Sequence, residues 1–305
     1  MPFATARSRT ARSRTAGSPG ARSRTALVLA AALAGATGAT ALTAGTAASA
    51  TALPSPDHVV VVMLENHAYG QIIGSSSAPF LNSLATGGAL LKASYGITHP
   101  SQPNYFAVFS GSTQGITDDS CYSPGFSKAA NLAGELSAAG KSWGSYSESL
   151  PSQGSTTCSS GDYARKHAPW VGFGNVPTST AHTFAQFPTD YGKLPTVSFV
   201  IPNLCSDMHN CSVGTGDTWL KDKLGGYASW AKTHNSLLVV TYDEDDRNSG
   251  NHIPTLIYGQ PAKAGATSST SYNHYDLLHT LEDLAGTGAH AGKSSSAHDI
   301  TGIWN

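Results

Sequence analysis

The sequence predicts an α/β sandwich: a central, mostly parallel sheet with helices on both faces. Two observations carry that reading. Short unbroken apolar runs rich in β-branched residues recur along the chain, and such runs read as strands buried on both faces, the hallmark of a parallel sheet. Segments with helical spacing, several closed by glycine, alternate with these runs, which is the order that builds layered α/β folds. In a fold of this kind, ligands gather at the carboxyl ends of the strands.

In chain order, residues 1–50 read as a leader. Arg7, Arg9, Arg12, Arg14, Arg22 and Arg24 form a basic, acid-free stretch, residues 27–33 are apolar, and a small-residue region ends at Ala48-Ser49-Ala50. That is the order of a signal peptide, here cleaved near Ala50. The hexad Ala-Arg-Ser-Arg-Thr-Ala begins at positions 6, 11 and 21 and is too short and polar for a solenoid. An uncleaved membrane anchor fits less well, because Gly35, Thr37, Gly38 and Thr40 interrupt the apolar run before the ~20 residues a span needs. Residues 51–305 are then long enough for one folded domain with a sizeable core.

The first strand is His58–Leu64, followed by similar runs at 196–201, 236–242 and 253–258. Helical spacing falls at 78–85, 128–139, 218–232 and 274–284. The stretch 121–176, rich in Ser, Gly and Pro, reads as an irregular insertion over the ligand-binding edge. Lys and Arg total 18 against 19 Asp and Glu, a formal net charge of -1, so no general attraction to nucleic acid or anionic membrane is encoded. Any anion specificity must be local. Four cysteines, Cys121, Cys158, Cys205 and Cys211, lie beyond the leader, and an even count in an exported chain favours disulfides. The short interval from Cys205 to Cys211 suggests a local staple, leaving Cys121 for Cys158. A zinc site of Cys205, His209 and Cys211 is the lesser alternative in an oxidising compartment.

Four constellations carry chemistry. The first strand ends in Glu65-Asn66-His67, a carboxylate and an amide suited to a metal with oxygen ligands or, more plainly, to a satisfied loop. His99-Pro-Ser-Gln-Pro-Asn104 opens an apolar-periodic stretch that closes at Ser110-Gly111. Ser101 is expected there as an N-cap, and a helix N-terminus is also an anion site where a serine could attack a phosphoryl group. Asp207 and His209 alternate between Cys205 and Cys211, and could share a metal or simply decorate a surface loop. The apolar run 236–242 ends abruptly in Asp243-Glu-Asp-Asp246, and carboxylates so crowded invite a cation. His252 and His274 open the next strand and helix at the same edge. No Walker loop or His-Glu-x-x-His helix is present, which removes the usual nucleotide triphosphatase and zincin signatures.

These residues resemble a bacterial phosphoesterase family that contains secreted acid phosphatases, phosphatidylinositol-3-phosphatases and phospholipase-C-type enzymes, within the alkaline-phosphatase-like superfamily. The resemblance spans residues 57–286 and rests on Met63-Leu-Glu-Asn-His67, Ser101-Gln-Pro-Asn104 with Ser110-Gly111 and Gln114-Gly-Ile116, Asp243-Glu244, and Tyr163-Ala-Arg-Lys-His-Ala-Pro169. It implies an alkaline-phosphatase-like sandwich and a single phosphoesterase catalytic domain over 51–305. The implied activity is that of a secreted, monomeric phosphomonoesterase, an acid phosphatase acting on small-molecule or lipid phosphate esters such as phosphatidylinositol 3-phosphate. Ser101 is the implied nucleophile, passing through a phosphoseryl intermediate. Glu65, Asn66, Asp243, Glu244 and Asp207 are implied ligands of a divalent metal ion, although Glu244 stands where many relatives have Asp or His. His209, His252 and His274 are expected to supply charge or proton transfer, and Asn66, Asn104, Lys166 and His167 to approach the substrate. A phospholipase-C-type diesterase and a non-catalytic phosphate-ester-binding protein are the rival readings.

Overall fold

Strand β1, His58–Leu64, is the spine of the molecule. Val59, Val61 and Met63 join one hydrophobic core, while Val60, Val62 and Leu64 join a second. Both faces of the strand are therefore covered, which explains its unbroken apolar sequence. The computed structural model describes residues 52–305; the expected leader and its cleavage site lie outside the described residues.

The remaining strands are β2 (Ala89–Tyr95), β3 (Trp143–Ser147), β4 (Ser159–Ser160), β5 (Tyr163–Ala164), β6 (Ala181–Thr183), β7 (Val197–Ile201), β8 (Ser236–Tyr242), β9 (His252–Gly259), β10 (Ala266–Ser268) and β11 (Tyr272–Asn273). The helices are α1 (Tyr69–Ile72), α2 (Pro79–Gly87), α3 (Ser101–Ser110), α4 (Leu132–Ala138), α5 (Val213–Ala231) and α6 (His274–Ala285). A nine-stranded sheet runs in the order β10-β2-β9-β8-β1-β7-β3-β6, with β11 beside β2; β4 and β5 form a separate ribbon.

β1 is parallel to β7 and β8, and β3 is parallel to β6 and β7. The mostly parallel sheet is thus present, but β9 runs antiparallel to both β8 and β2. The chain reverses through the short acidic turn after Tyr242, and a connection that short can join only antiparallel neighbours. β3 corrects the expectation that 121–176 is wholly irregular. Its sequence, Trp-Gly-Ser-Tyr-Ser, lacks the aliphatic run that marked the other strands, yet it pairs with β7 along its whole length.

Helices cover both faces. Phe106 and Phe109 of α3, Leu132 and Leu136 of α4, and Leu278 and Leu281 of α6 pack against Val59, Val61 and Met63. Leu81 and Leu84 of α2 and Leu220 and Leu224 of α5 pack against Val60 and Val62. Each such side chain contributes about 1.5–3 kcal/mol on burial. α5 starts ahead of the expected residue 218 because Ser212 caps it, accepting from the Thr215 amide. α3 ends at Gly111 in the left-handed conformation, φ 63°. A Cβ there would lie 1.9 Å from the Ala291 carbonyl oxygen, so glycine is required twice over.

Two disulfides, Cys121–Cys158 and Cys205–Cys211, staple the loops above the carboxyl edge. With both thiols of the second pair bonded to each other, the zinc alternative at Cys205, His209 and Cys211 is overturned. No helix among the described residues is long and apolar enough to cross a membrane.

Candidate active site

Three parallel strands deliver three acids to one edge. Glu65 follows β1, Asp207 lies in the stapled loop after β7, and Asp243 follows β8. Backbone bonds lace them together: the Glu65 amide donates to the Asp207 carbonyl at 2.9 Å, and the Asp243 amide donates to the Leu64 carbonyl at 3.0 Å. All three acids are completely buried.

Ser101 is the first residue of α3, not its N-cap. Pro100 occupies the cap position and no side chain caps the helix. The serine hydroxyl is turned instead toward the acids, donating to Glu65 Oε2 at 2.8 Å. One helical turn on, on the same face, the Tyr105 hydroxyl donates to Glu65 Oε1. The His167 ring stacks on Tyr105, with centroids 4.7 Å apart and planes at 11°. Its Nε2 lies 3.1 Å from Glu65 Oε1 and its Nδ1 3.4 Å from Asp207 Oδ2.

Burial dominates the electrostatics. It pushes the Asp207 carboxyl up to about 7. Burial, reinforced by Glu65 and then Glu244, raises Asp243 well above the usual carboxylate range. His167 is pushed down to about 4 by burial, although Glu65 pulls the other way. The imidazole is neutral and the acids are short of positive charge. Lys166 stands nearby: burial opposes its charge, but Glu65 and Asp119 together hold its ammonium above the usual lysine range. Its Nζ donates to Asp119 Oδ2 at 2.9 Å and lies 3.2 Å from His209 Nε2.

The donors fit a divalent cation. Ligand atoms of Glu65, His167 and Asp207 lie within 4.8 Å of one another. His167 Nε2, Asp207 Oδ2 and Asp243 Oδ2 are buried with no hydrogen-bond partner, a costly condition. Carboxylate oxygens and an imidazole nitrogen together suit zinc, manganese or a similar ion.

The other expected residues fall around this centre. Asn66 adopts the left-handed conformation, φ 58°, which asparagine tolerates; this aims its amide at Asp243 Oδ1, 3.1 Å away. Its side chain donates to Glu65 Oε2 at 3.2 Å, so it braces the acids. Glu244 is turned toward His99 Nδ1, 3.0 Å away, with its carboxyl raised by burial and by Glu65 to about 8. Asn104 is not turned to a substrate. Its oxygen accepts from the Ile97 and Thr98 amides at 2.9 and 3.1 Å, and its amide donates to the Thr98 carbonyl at 2.8 Å and to Glu244 at 3.4 Å, holding the loop before α3. His167, expected at the substrate, is walled in among Glu65, Tyr105 and Asp207.

The three histidines expected in proton transfer separate. His209 is exposed at the mouth beside Lys166. His252 stacks on Tyr69 at 4.6 Å, and its Nε2 lies 2.8 Å from the Lys92 carbonyl oxygen. His274 is buried, its Nε2 2.6 Å from the carbonyl oxygen of Asp243. His252 and His274 therefore each commit one ring nitrogen to a backbone carbonyl, which anchors the ring beside the site. Sequence reasoning gave no separate role to Tyr105, His99 or Asp119, and grouped Asp245 with the acids that invite a cation. Tyr105 carried a readable signal, its spacing of four from Ser101. Asp245 accepts the amides of Arg247, Ser249 and Asn251 and folds the acidic turn; only the structure shows that it is not a ligand-facing acid. The Gln102 amide, expected to face a bound anion, donates to Asp119 at 2.9 Å.

The sheet order, the two helical layers and the acids at the carboxyl edge define a class. A protein of the alkaline phosphatase superfamily from Vibrio parahaemolyticus superposes with a TM-score of 0.55 at 16% identity, covering 82% of this chain and 71% of that one. The fold is that of the superfamily. A phosphoesterase family model matches residues 75–287, and the chain belongs to the phosphoesterase family, hydrolases of phosphate esters. It is 50% identical over 258 residues to a phosphatidylinositol-3-phosphatase of Mycobacterium tuberculosis, covering 84% of this chain and 85% of that one. A phosphate-repressible acid phosphatase of Penicillium chrysogenum is 32% identical over 263 residues, covering 77% of this chain. The chain spans 63% of that fungal relative's length.

Proposed function

We propose that the chain is an exported phosphomonoesterase that uses Ser101 as its nucleophile and acts on small or lipid phosphate esters, phosphoinositides phosphorylated at the 3-position among them. The observation that carries the mechanism is the Ser101 hydroxyl, 2.8 Å from a buried Glu65 oxygen, beside acid oxygens that lack partners. The likeness to the phosphatidylinositol-3-phosphatase supports the substrate class. Two disulfides and the leader-like N-terminus support export.

Glu65, Asp207, Asp243 and His167 would hold a divalent cation, which when bound supplies positive charge to the phosphoryl oxygens and favours ionisation of the serine. Glu65 accepts the Ser101 proton along the bond already formed. Ser101 Oγ then bonds to phosphorus as the bond from phosphorus to the alcohol oxygen breaks, giving a phosphoserine and a free alcohol. Lys166, held by Asp119, receives the phosphoryl oxygens at the mouth. A water gives a proton to the departing alkoxide, the hydroxide so formed attacks the phosphorus of the phosphoserine, and Ser101 Oγ leaves with the proton held by Glu65, which restores the hydroxyl and the carboxylate. A fixed ammonium at the mouth suits the doubly charged group of a monoester better than a diester.

The test is release of p-nitrophenol from p-nitrophenyl phosphate and from its bis-ester by wild type and Ser101→Ala. Turnover of the monoester that falls at least 1,000-fold in the variant is expected, in the range seen when a catalytic nucleophile is lost. Near-wild-type turnover by the variant refutes the serine mechanism. Activity on the bis-ester alone moves the enzyme to the phospholipase-C type, and silence on both supports a binding protein.

A further inference from the structure

A second cluster of metal-ligating side chains lies toward the far end of α6, away from His274. His279 and Asp283 share one helix face at a spacing of four, and the chain that follows α6 returns His290 and Asp299 to them. His279 Nδ1 sits 2.8 Å from the Ser294 carbonyl oxygen, so that nitrogen carries the proton. In the neutral ring, Nε2 then presents a lone pair to Asp283 Oδ2 at 3.5 Å and Asp299 Oδ1 at 3.9 Å. A lone pair facing two carboxylate oxygens is repulsive unless a positive charge lies between them.

A proton on His279 Nε2 would offset only one of the two carboxylates it faces, and protonating both imidazoles to offset the second is disfavoured. The rings of His279 and His290 stack face to face, with centroids 4.0 Å apart and planes at 7°, so two imidazolium ions would repel. His290 already satisfies Asp283, its Nε2 lying 3.0 Å from Asp283 Oδ1. Asp299 Oδ1 is shielded from solvent and has no hydrogen-bond partner, although the side chain as a whole is 31% exposed. Glu282 is not free to compensate: its oxygens accept the Ala291 amide at 2.9 Å and the Ser294 hydroxyl, fixing the loop that brings His290 in.

We infer that His279, Asp283 and Asp299 form a second divalent-metal site of zinc type, separate from the catalytic acids, with His290 orienting Asp283 from the other side. Ligand atoms of these three residues lie within 4.8 Å of one another. Donors about 2.0–2.2 Å from a tetrahedral ion stand roughly 3.4 Å apart, close to the spacing of His279 from both acids. The backbone bond on the other ring nitrogen of His279 is the usual support of a metal-bound histidine. Such an ion would tie α6 to the C-terminal segment, a structural role that leaves catalysis to the other edge of the sheet.

The experiment is a zinc titration of the chelator-stripped full chain by calorimetry, beside His279→Gln and Asp299→Asn, with thermal unfolding and p-nitrophenyl phosphate turnover read on the same samples. The expected result is loss of one zinc equivalent, or at least tenfold weaker binding of it, in both variants. The zinc-dependent rise in Tm should shrink in both, while turnover with the catalytic ion supplied stays within twofold. The same zinc stoichiometry and affinity in wild type and both variants overturns the site; loss in only one variant overturns the three-ligand arrangement. Asp299→Asn keeps shape and volume, so it stands as the readout should His279→Gln fail to fold. The comparison counts a difference between variants and is independent of how the catalytic edge binds metal.

Discussion

Replacing Tyr105 by phenylalanine removes a single oxygen from the wall of the site. The ring that stacks on His167 at 4.7 Å remains, but Glu65 Oε1 loses its hydroxyl donor and keeps only the neutral imidazole 3.1 Å away. A hydrogen bond to a charged group is worth about 1.5–3 kcal/mol, and no water can reach a group this buried to replace it. If that bond holds Glu65 where it meets Ser101, the whole amount is felt in the transition state. At 1.36 kcal/mol per tenfold, kcat/KM for p-nitrophenyl phosphate should fall about 10- to 150-fold, with KM little changed. Urea unfolding of Tyr105→Phe, Glu65→Gln and the double variant measures the same bond in the folded state, and a coupling above ~1 kcal/mol is expected. If kcat/KM stays within twofold of wild type, or the two substitutions are additive, Tyr105 does not position Glu65 and the chain of contacts proposed for the site is wrong.

Stripping divalent ions with a chelator should abolish turnover, and restoring them should recover it; unchanged activity in excess chelator would remove the metal from the scheme. Lys166→Met should raise KM for monoesters at least tenfold while leaving far-ultraviolet dichroism unchanged, and a KM equal to wild type would deny it a place at the phosphate. Cys121 and Cys158 close a loop of 37 residues, for which the chain-entropy model gives about 4 kcal/mol; the six-residue interval of Cys205–Cys211 gives about 2 kcal/mol. Cys121→Ser/Cys158→Ser should therefore lower the urea midpoint more than the Cys205/Cys211 pair does, and the reverse order would contradict the loop-closure account. Burial holds His274 neutral, its pKa pushed down to about 4, whereas in the unfolded chain it titrates near 6.5. Between those values the unfolded state binds more protons, so stability falls as pH drops from about 6.5 toward 4. His274→Gln should flatten that part of the Tm-pH curve, and a curve parallel to wild type would show that another group sets it.

The layers of the fold were legible because burial on both faces leaves its mark on sequence. β1 and β8 are seven-residue strands dominated by aliphatic and β-branched residues, and shorter runs of the same kind mark β7 and β9. β2 was hidden by Lys92 and Ser94, the first exposed and the second bonded within the sheet to Thr255. β3 was hidden because glycine and serine pack its interior positions. The acids of the site were legible for a different reason, since a carboxylate at the end of a buried strand contradicts its surroundings. What composition cannot reveal is direction. Asp243, Glu244 and Asp245 are neighbours in sequence, yet Asp243 accepts the Asn66 amide, Glu244 faces His99, and Asp245 folds the turn. Histidine is equally silent: His167 lies between two acids while His252 and His274 bind carbonyl oxygens, and nothing in their flanking residues distinguishes them.

Glu65, Ser101, His167, Asp207 and Asp243 come from five separate stretches of chain, and no local segment holds more than one of them. Helices α3 and α6 can form from nearby residues, but the Glu65–Ser101 contact requires β1 seated between β7 and β8 with α3 docked on top. Contacts of such long sequence separation are the slow ones in folding. Recovery of phosphatase turnover after dilution from denaturant would therefore lag behind recovery of helical signal, and the interval between them would time the closing of the sheet.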